Sequence, residues 1–479
     1  MSQKKKSFRL GPAILITAAF VGPGTVMTAS KAGSDFGFVL LWAVGFSVVA
    51  TIVLQEMAGR LGIVTGHGLS QAIRRTISQK IVRFLFLGLV LVTILLGNAA
   101  YQTGNIIGAV SGVMALAEPP NNGVAGNDPV EVSQYWVSQP VVVILIGIIV
   151  IGLIGYGKFS MLQGMLTCLV VVLSFLFLIA AIFSSPQWSE VFNGFVPRIP
   201  NGSEWVVIGL IGTTVVPYNL FLHAGATAEN WKQHGSDSSQ VKSAIQYSRW
   251  DTVLSVLIGG AVTACILVTA SVAFHQTEND VALKIPKDVA VQLQPVLGVS
   301  AKWLFAIGLL SAGLTSAITA PIASAYAASG CFGWSGKLSD WRLKAVSISV
   351  VLTGCYFALA FGGSPSETIL IAQIANGLLL PIIVVFLILV VNQKSMLGKH
   401  VNGPVANLLA IFVLTIVSAI AIKNFGSIGT KLKKMFESKS NAALRLNINK
   451  TENWNRLPAE VDAFALRIPN TQTARSNIS

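Results

Sequence analysis

The sequence predicts an all-α membrane protein with about eleven transmembrane helices, and three observations lead to this fold class. Of the 479 residues, 53% are hydrophobic and only 11% are charged, whereas soluble domains carry about 25% charged residues. The hydrophobic residues form long runs, and a helical run of about 20 residues crosses the hydrocarbon core of a bilayer. Two of these runs contain glycine and proline near their middle, where proline removes a backbone donor and interrupts the helix.

Eleven apolar segments follow one another and define a transmembrane domain over residues 10–424. They lie near 10–33, 37–62, 82–116, 139–156, 160–184, 204–230, 252–275, 299–327, 344–362, 367–392 and 403–423. Residues 1–9 form a short N-terminus before them. The tail, 425–479, is polar and basic, and we expect it to be partly disordered. The first segment superficially resembles a signal peptide, but no Ala-x-Ala-like site follows its apolar run, so we expect it to stay uncleaved.

The charges of the loops alternate along the chain and predict the orientation. Basic residues cluster before segment 1 and in every second loop after it, at Lys4, Lys5, Lys6, Arg9, Arg74, Arg75, Lys80, Arg83, Lys158, Lys232, Lys242, Lys337, Arg342, Lys344, Lys394 and Lys399. By the positive-inside rule these loops and the N-terminus are cytoplasmic, and we expect a multi-pass protein of the inner cell membrane. Eleven spans place the basic tail outside, so either its charge is ignored during insertion or one span is miscounted.

The net charge of +14 arises from these loops and the tail, so we expect the lipid bilayer, and no nucleic acid, as a partner of the chain. The four cysteines, Cys168, Cys265, Cys331 and Cys355, lack CxxC spacing and lie in or beside apolar segments, so we expect neither disulfides nor metal ligands. The sequence contains no Walker loop, HExxH motif or nucleotide-binding glycine turn. We therefore expect no enzymatic activity and no cofactor.

The two interrupted runs are segments 1 and 6. Residues 22–25 read Gly-Pro-Gly-Thr, and residues 216–219 read Val-Pro-Tyr-Asn. Unwound backbone at membrane depth is tolerated only where it faces protein or a water-lined cavity. Because the breaks lie five segments apart, segments 1–5 and 6–10 are predicted to be inverted repeats, as in the LeuT-type (5+5) fold, with a substrate site at the midplane. This arrangement indicates a secondary transporter.

The residues around these breaks resemble the Nramp family (natural resistance-associated macrophage protein), whose members transport divalent metals on a LeuT-type fold. Residues 212–223, GTTVVPYNLFLH, are similar to the family's sixth helix. Residues 308–319, GLLSAGLTSAIT, are similar to its eighth helix, and residues 61–66, LGIVTG, to the end of its second. The resemblance covers residues 9–424, roughly, and implies a divalent cation as the transported substrate.

The chain departs from the family where the resemblance places the metal. The family's Asp-Pro-Gly-Asn reads Gly-Pro-Gly-Thr at 22–25, so a metal-binding carboxylate and an amide are absent. Its Met-Pro-His-Asn reads Val-Pro-Tyr-Asn at 216–219, so the thioether is absent and only Asn219 is kept among the ligating side chains there. An Asp and a Glu on the family's proton path in segment 3 correspond to the neutral amides Gln102 and Asn105.

Oxygen donors remain at the two breaks, and we take them as the candidate site. Thr25 and Asn219 are the candidate metal ligands, and the resemblance adds the freed carbonyls near Ala19 and Thr213. Substrate contacts are expected from Ala19, Gly22, Thr25, Thr213, Val216, Tyr218, Asn219, Gln373 and Asn376. Candidates for an ion pathway are Gln102, Asn105, His223 and Glu56. Glu56 has a second interpretation, an ion pair with Arg60 four residues on, and His223 has one as a packing residue.

The donor set also indicates which substrate the site prefers. Oxygen ligands without a thioether favour hard cations such as Mg²⁺ or Mn²⁺ over softer metals. The leading prediction is a secondary transporter of Mg²⁺ or Mn²⁺, and the loss of titratable groups argues against proton coupling. Without the carboxylate, however, a divalent cation at the midplane is more costly, and helix N-termini favour anions. A carrier of a small anion or polar organic solute, or a membrane sensor that transports nothing, therefore stays open.

Overall fold

The structure is a computed structural model that describes residues 22–117, 138–157, 160–231, 238–275, 283, 286–334 and 339–424. The first half of predicted segment 1 with Ala19, the loop at 118–137 and the tail at 425–479 lie outside these residues. The chain divides into two compact units, Met1–Ala421 and Ile422–Ser479. Of the second unit, only the last residues of segment 11 are described.

The long helices correspond to the predicted segments, whose numbers we keep for them. The second half of segment 1 is Pro23–Phe36, and segment 6 consists of two helices, Glu204–Thr214 and Pro217–Trp231. Segment 7 is Ser238–Ala270, which continues as one π-helical turn, Ser271–His275. The remaining segments are Leu41–Thr65, Lys80–Ala117, Gln139–Tyr156, Ser160–Phe183, Ala301–Phe332, Trp341–Phe361, Pro365–Val391 and Pro404–Asn424.

Ten stretches of the described residues are long and apolar enough to cross a membrane as helices. The first of them, Pro23–Thr65, joins the second half of segment 1 to segment 2, so all eleven predicted segments are represented. A short 3₁₀ turn, Gly37–Leu40, connects these two helices. The predicted all-α membrane fold class is therefore confirmed.

The predicted bounds agree closely for some segments and fail for segment 7. Segment 4 was placed at 139–156 and is found at Gln139–Tyr156. Segment 7 begins at Ser238 and not near 252, because its helix continues through polar turns that a hydropathy pattern does not mark. Shorter elements in the connections were not predicted: Leu69–Thr76, Trp188–Asn193, Pro286–Leu293, Gln294–Leu297, Gly298–Ser300, Lys394–Leu397 and Gly398–His400.

Segment 6 lies at the centre of the helix packing. Of its most apolar stretch 89% is buried, whereas the corresponding fraction is 28% for segment 3 and 22–33% for segments 4, 5, 9 and 11. These four segments carry large exposed apolar side chains, among them Ile148, Phe175, Tyr356 and Phe412. Such side chains are accommodated by lipid tails, so the four segments form the outer, lipid-facing part of the protein.

Segment 3 packs on segments 8 and 10, and its contact with segment 8 depends on small residues. A Cβ atom added at Gly313 would lie 2.5 Å from the backbone nitrogen of Ala109, and one at Gly112 would lie 2.7 Å from the carbonyl oxygen of Ala306. Both distances are shorter than the closest contacts that a real Cβ atom makes, so glycine is required at these two positions. Close approach of backbones is the usual way in which membrane helices gain packing energy.

Candidate functional site

Segment 6 breaks at the position that the sequence predicts. The first helix ends at Thr214, Val215 leaves the helical region with φ −97° and ψ 69°, and the second helix begins at Pro217. The carbonyl of Thr213 would receive the N–H of residue 217 in a continuous helix, but proline has none to give. The break therefore leaves the Thr213 carbonyl without the N–H donor that a continuous helix would supply.

Segment 1 shows the second half of a corresponding break. Its described helix begins at Pro23, and the residue before it, Gly22, is extended with φ −92° and ψ 177°. Ala19, four residues before Pro23, lies outside the described residues, so its expected substrate contact stays a prediction. The helix that starts at Pro23 presents its N-terminus toward the buried centre, since Gly24 and Thr25 are both buried.

The two interrupted segments meet through a hydrogen bond between threonines. The Oγ1 atoms of Thr25 and Thr213 are 2.9 Å apart, and either hydroxyl can donate. Both side chains are buried. The structure thus brings together one candidate metal ligand from segment 1 and one candidate contact from segment 6.

Segment 10 completes the junction with the side chain of Gln373. A Cβ atom added at Gly24 would lie 2.1 Å from Nε2 of Gln373, and one at Gly212 would lie 2.1 Å from the Gln373 carbonyl oxygen. Glycine on both interrupted segments therefore makes room for this one residue. The predicted candidate Gln373 is in direct contact with the start of the helix at Gly24.

Several amides near this junction are buried without a hydrogen bond. The side-chain nitrogen and oxygen of Asn219, Gln373 and Asn105 have no protein partner among the described residues, and neither has Nδ2 of Asn376. Leaving a buried amide unpaired costs free energy, about 1–3 kcal/mol by mutational data. A group of such amides is therefore explained by a polar occupant of the same region, which water or a ligand provides.

Val216 and Tyr218, the two substitutions in the second family motif, are both buried. The ring of Tyr218 packs against that of Tyr101 on segment 3, with the two centroids 5.3 Å apart and the planes at 59°. Tyr101 was not singled out from the sequence, because nothing in its local pattern distinguishes it from a core aromatic residue.

The candidates on segment 3 differ in their surroundings. Nε2 of Gln102 donates to the carbonyl of Ala317 on segment 8, at 3.0 Å, while its Oε1 has no partner among the described residues. The side chain of Gln102 also packs against Gly354 on segment 9. Gln102 is therefore partly a bridge between helices, whereas the amide of Asn105 is free of such contacts.

His223 is buried one turn after Asn219, on the second helix of segment 6. Its Nε2 lies 3.4 Å from Oγ1 of Thr252 on segment 7, and a Cβ atom at Gly59 on segment 2 would lie 2.7 Å from it. Its Nδ1 has no partner in the described part of the chain. The packing interpretation accounts for one ring nitrogen and leaves the other unexplained.

Glu56 forms the ion pair that was its second interpretation. Its Oε1 is 3.1 Å from Nε of Arg60 on the same helix, and it is also 2.8 Å from Nε of Arg249 on segment 7. Sequence spacing identified Arg60 but not Arg249, because Arg249 is distant in the chain and reaches Glu56 only after segments 2 and 7 pack.

Carboxylates do not gather at the candidate site. Within the described ranges, no group of three or more histidine, cysteine, aspartate and glutamate side chains is arranged to hold a metal ion. The groups at the junction are hydroxyls, amides and backbone carbonyls. These are neutral oxygen donors, and they suit hard cations or hydrogen-bonding solutes.

Comparisons with known proteins agree with this architecture. The family model "Natural resistance-associated macrophage protein-like" matches residues 13–427. A "Divalent metal cation transporter MntH" of Brucella suis is 28% identical over 420 residues, covering 86% of each chain. The protein of the same name, MntH 1, of Pseudomonas aeruginosa is 27% identical over 87% of this chain and 90% of its own.

Solved structures show the same fold. A manganese transporter of Eremococcus coleocola aligns with a TM-score of 0.68 at 22% identity, over 87% of this chain and 86% of its own. MhsT, solved in complex with L-phenylalanine, aligns with a TM-score of 0.55 at 15% identity, over 89% of this chain and all of its own. These alignments confirm the LeuT-type fold. Because the family model covers most of its length, the chain belongs to the Nramp family.

Proposed function

We propose that the chain is a secondary transporter that carries a divalent metal cation across the inner cell membrane by alternating access. Two relatives described above are named as divalent metal cation transporters and a third as a manganese transporter. Mg²⁺ or Mn²⁺ is the preferred substrate, and the N-terminus is cytoplasmic, as the loop charges indicate. Transport does not depend on protons.

One observation carries the proposal: neutral polar groups are buried where segments 1, 6 and 10 meet, and several buried amides of segments 6 and 10 have no hydrogen-bond partner among the described residues. Asn219, Gln373 and Asn376 contribute amides whose atoms are wholly or partly unpaired among the described residues. Thr25 and Thr213 contribute hydroxyls that lie 2.9 Å apart. Thr25 and Asn219 are the proposed metal ligands, and the Thr213 carbonyl is an additional donor.

The preference for hard cations follows from the kind of donor. With Val216 where the family has methionine, no thioether is offered to softer metals at this position. Mg²⁺ keeps several of its waters in protein sites, and Mn²⁺ accepts oxygen ligands as well. The amides of Asn219 and Gln373 then bind the hydrated ion through its waters as well as directly.

The missing carboxylate makes a partly hydrated ion the more favourable substrate. A bare divalent cation in a neutral, buried site loses hydration that no fixed charge replaces. Retained waters spread the ionic charge, and they donate hydrogen bonds to amide oxygens that lie too far from the ion to bind it directly. The site therefore binds weakly, in the millimolar range that an abundant ion such as Mg²⁺ reaches.

Uptake into proteoliposomes tests the proposal. Purified protein is expected to take up Mn²⁺ or Mg²⁺, and Thr25→Ala and Asn219→Ala are each expected to lower the rate at least tenfold. Thr353→Ala serves as a matched control, since Thr353 is half-buried on segment 9, away from the two breaks, and its hydroxyl donates to the carbonyl of Ser349 on its own helix. If no divalent ion moves or binds at millimolar concentration, the proposal fails.

The same assay decides the competing function. The helix N-termini at Pro23 and Pro217 point partial positive charge at a site without carboxylates, which suits an anion or a polar organic solute. Flux of such a solute, unchanged by divalent ions, would replace the cation proposal. The absence of all flux, together with partner binding by the tail, would identify a sensor.

A further inference from the structure

A cavity of about 870 Å³ lies away from the broken helices, at the end of the protein that the loop charges assign to the cytoplasm. Three parts of the chain form it: the end of segment 2, the first turns of segment 7, and the connection between segments 10 and 11. Its charged and titratable lining consists of Glu56, Arg60, Lys242, Arg249, Lys399 and His400.

Positive charge exceeds negative charge in this cavity. Glu56 is its one acidic residue, and Arg60 and Arg249 both pair with it, at 3.1 and 2.8 Å. Lys242 and Lys399 are exposed and form no ion pair with the described residues. After the carboxylate is neutralised, three of the four lysine and arginine charges remain.

Arg60 is a buried part of the cavity lining that several hydrogen bonds hold in place. Its side chain is 6% exposed, and its guanidinium donates to Oδ1 of Asn402 at 2.5 Å and to the carbonyl of His400. These bonds tie segment 2 to the connection before segment 11. Burial, Lys399 and Arg60 lower the pKa of His400 from its usual value, so this ring is neutral near pH 7 and the positive charge comes from the lysines and arginines.

The remaining lining is apolar apart from Gln246. It includes Ile245, Trp250, Val253 and Val401, and Trp250 is 69% exposed. Tryptophan is typical of the level of lipid headgroups. A ligand that fits both parts of the cavity has an anionic group and an adjoining hydrocarbon chain.

We propose that this cavity binds the headgroup of an anionic phospholipid, with the phosphate beside Lys242, Arg249 and Lys399 and an acyl chain along Trp250 and Val253. Basic pockets between membrane helices on the cytoplasmic side recognise such headgroups in general. A free phosphate would meet the same cations but would leave the apolar wall in water. Because the lipid contacts segments 2 and 7 and the connection between segments 10 and 11 together, its binding stabilises the folded protein.

Lipid binding to the purified full chain tests the inference, by native mass spectrometry and by thermal unfolding. Phosphatidylglycerol is compared with phosphatidylcholine of the same acyl chains. Lys242→Gln with Lys399→Gln is expected to weaken phosphatidylglycerol binding about tenfold, and each single variant about threefold. The matched control is Lys80→Gln with Lys394→Gln, two exposed lysines that do not line the cavity, and it is expected to bind as the wild type does.

Three outcomes would overturn the inference. Equal binding of phosphatidylglycerol by the cavity variant and the control would remove the assigned site. Equal binding of phosphatidylcholine would show that charge is not recognised. Glycerol 3-phosphate that protects the protein from unfolding as well as phosphatidylglycerol does would identify a site for soluble anions. Lipid binding and thermal unfolding are measured without transport, so their results do not depend on which substrate the protein carries.

Discussion

Asn98 and Asn105 lie two turns apart on one side of segment 3, are equally buried, and differ in what their amides reach. Nδ2 of Asn98 donates to the carbonyl of Ala320 and to Oγ of Ser324 on segment 8. Both amide atoms of Asn105 lack a partner in the described part of the chain. Asparagine thus has two roles on this helix. At Asn98 its amide binds the neighbouring helix, and at Asn105 its amide stays available to a polar ligand or water.

Replacing each asparagine by leucine tests these two roles separately. Asn98→Leu is expected to lower the free energy of unfolding by about 1 kcal/mol, since interhelical hydrogen bonds of membrane proteins contribute about that much. Asn105→Leu is expected to leave stability unchanged or raise it, because it removes an unsatisfied amide. Thermal or denaturant unfolding of the purified variants measures both effects. Equal destabilisation by the two substitutions would contradict an open position at Asn105.

The geometry of the candidate site was predictable where the chemistry is local. Proline at 217 removes the donor for the Thr213 carbonyl whatever surrounds it, so the break on segment 6 follows from the sequence alone. The contact of Gln373 with Gly24 and the packing of Tyr101 on Tyr218 depend on how distant segments pack. No local pattern carries that information, and these contacts emerge only from the structure.

The helices themselves were predictable because the membrane requires long apolar runs. The exceptions are elements outside that requirement, such as the amphipathic helix Leu69–Thr76 and the polar start of segment 7 at Ser238. The same polar start carries Arg249, which pairs with Glu56 and joins segment 7 to segment 2. Polar elements at the ends of the segments therefore hold part of the fixed structure at the end that the loop charges assign to the cytoplasm.

Two arginines at this end are expected to differ in their contribution to stability. Arg60 is 6% exposed and bonds to Glu56, Asn402 and the His400 carbonyl, whereas Arg249 is 57% exposed and contacts Glu56 alone among these groups. Arg60→Gln is expected to cost about 3 kcal/mol, because it leaves buried partners unsatisfied. Arg249→Gln is expected to cost less than about 1 kcal/mol, since solvent screens an exposed pair.

Unfolding of the two variants in the same detergent measures this difference. Both substitutions remove one positive charge, so each serves as the other's control for net charge. A loss of stability that is equal in the two variants would mean that the bonds of Arg60 to the connection before segment 11 contribute nothing.

At the scale of the whole molecule, a family scaffold is kept while its site chemistry is changed. The LeuT-type fold places the most buried segment, segment 6, at the centre, and its break meets segment 1 through the threonine pair. By the resemblance, the family's carboxylates correspond to glycine, glutamine and asparagine at 22, 102 and 105. On the proposed function, the scaffold sets where the cation is expected to bind, and these side chains set what is expected to drive its movement.

Without a titratable group at these positions, transport is expected to follow the membrane potential and not the pH gradient. Moving one charge across 100 mV corresponds to about 2.3 kcal/mol. A divalent cation that moves alone gains about 4.6 kcal/mol, which corresponds to accumulation of about 2,000-fold. At zero potential, a pH gradient of either direction is expected to produce no accumulation.

Proteoliposomes with a potassium diffusion potential, or with a pH gradient at clamped zero potential, separate these driving forces. An internal pH dye is expected to record no acidification during Mn²⁺ or Mg²⁺ uptake beyond that of empty liposomes. His223 is the histidine nearest in sequence to Asn219, and its Nδ1 lacks a partner among the described residues. If uptake acidifies the lumen and His223→Gln abolishes that acidification while cation flux persists, His223 carries the proton and the absence of coupling is wrong. If potential-driven accumulation is unchanged in His223→Gln, the neutral site alone accounts for transport.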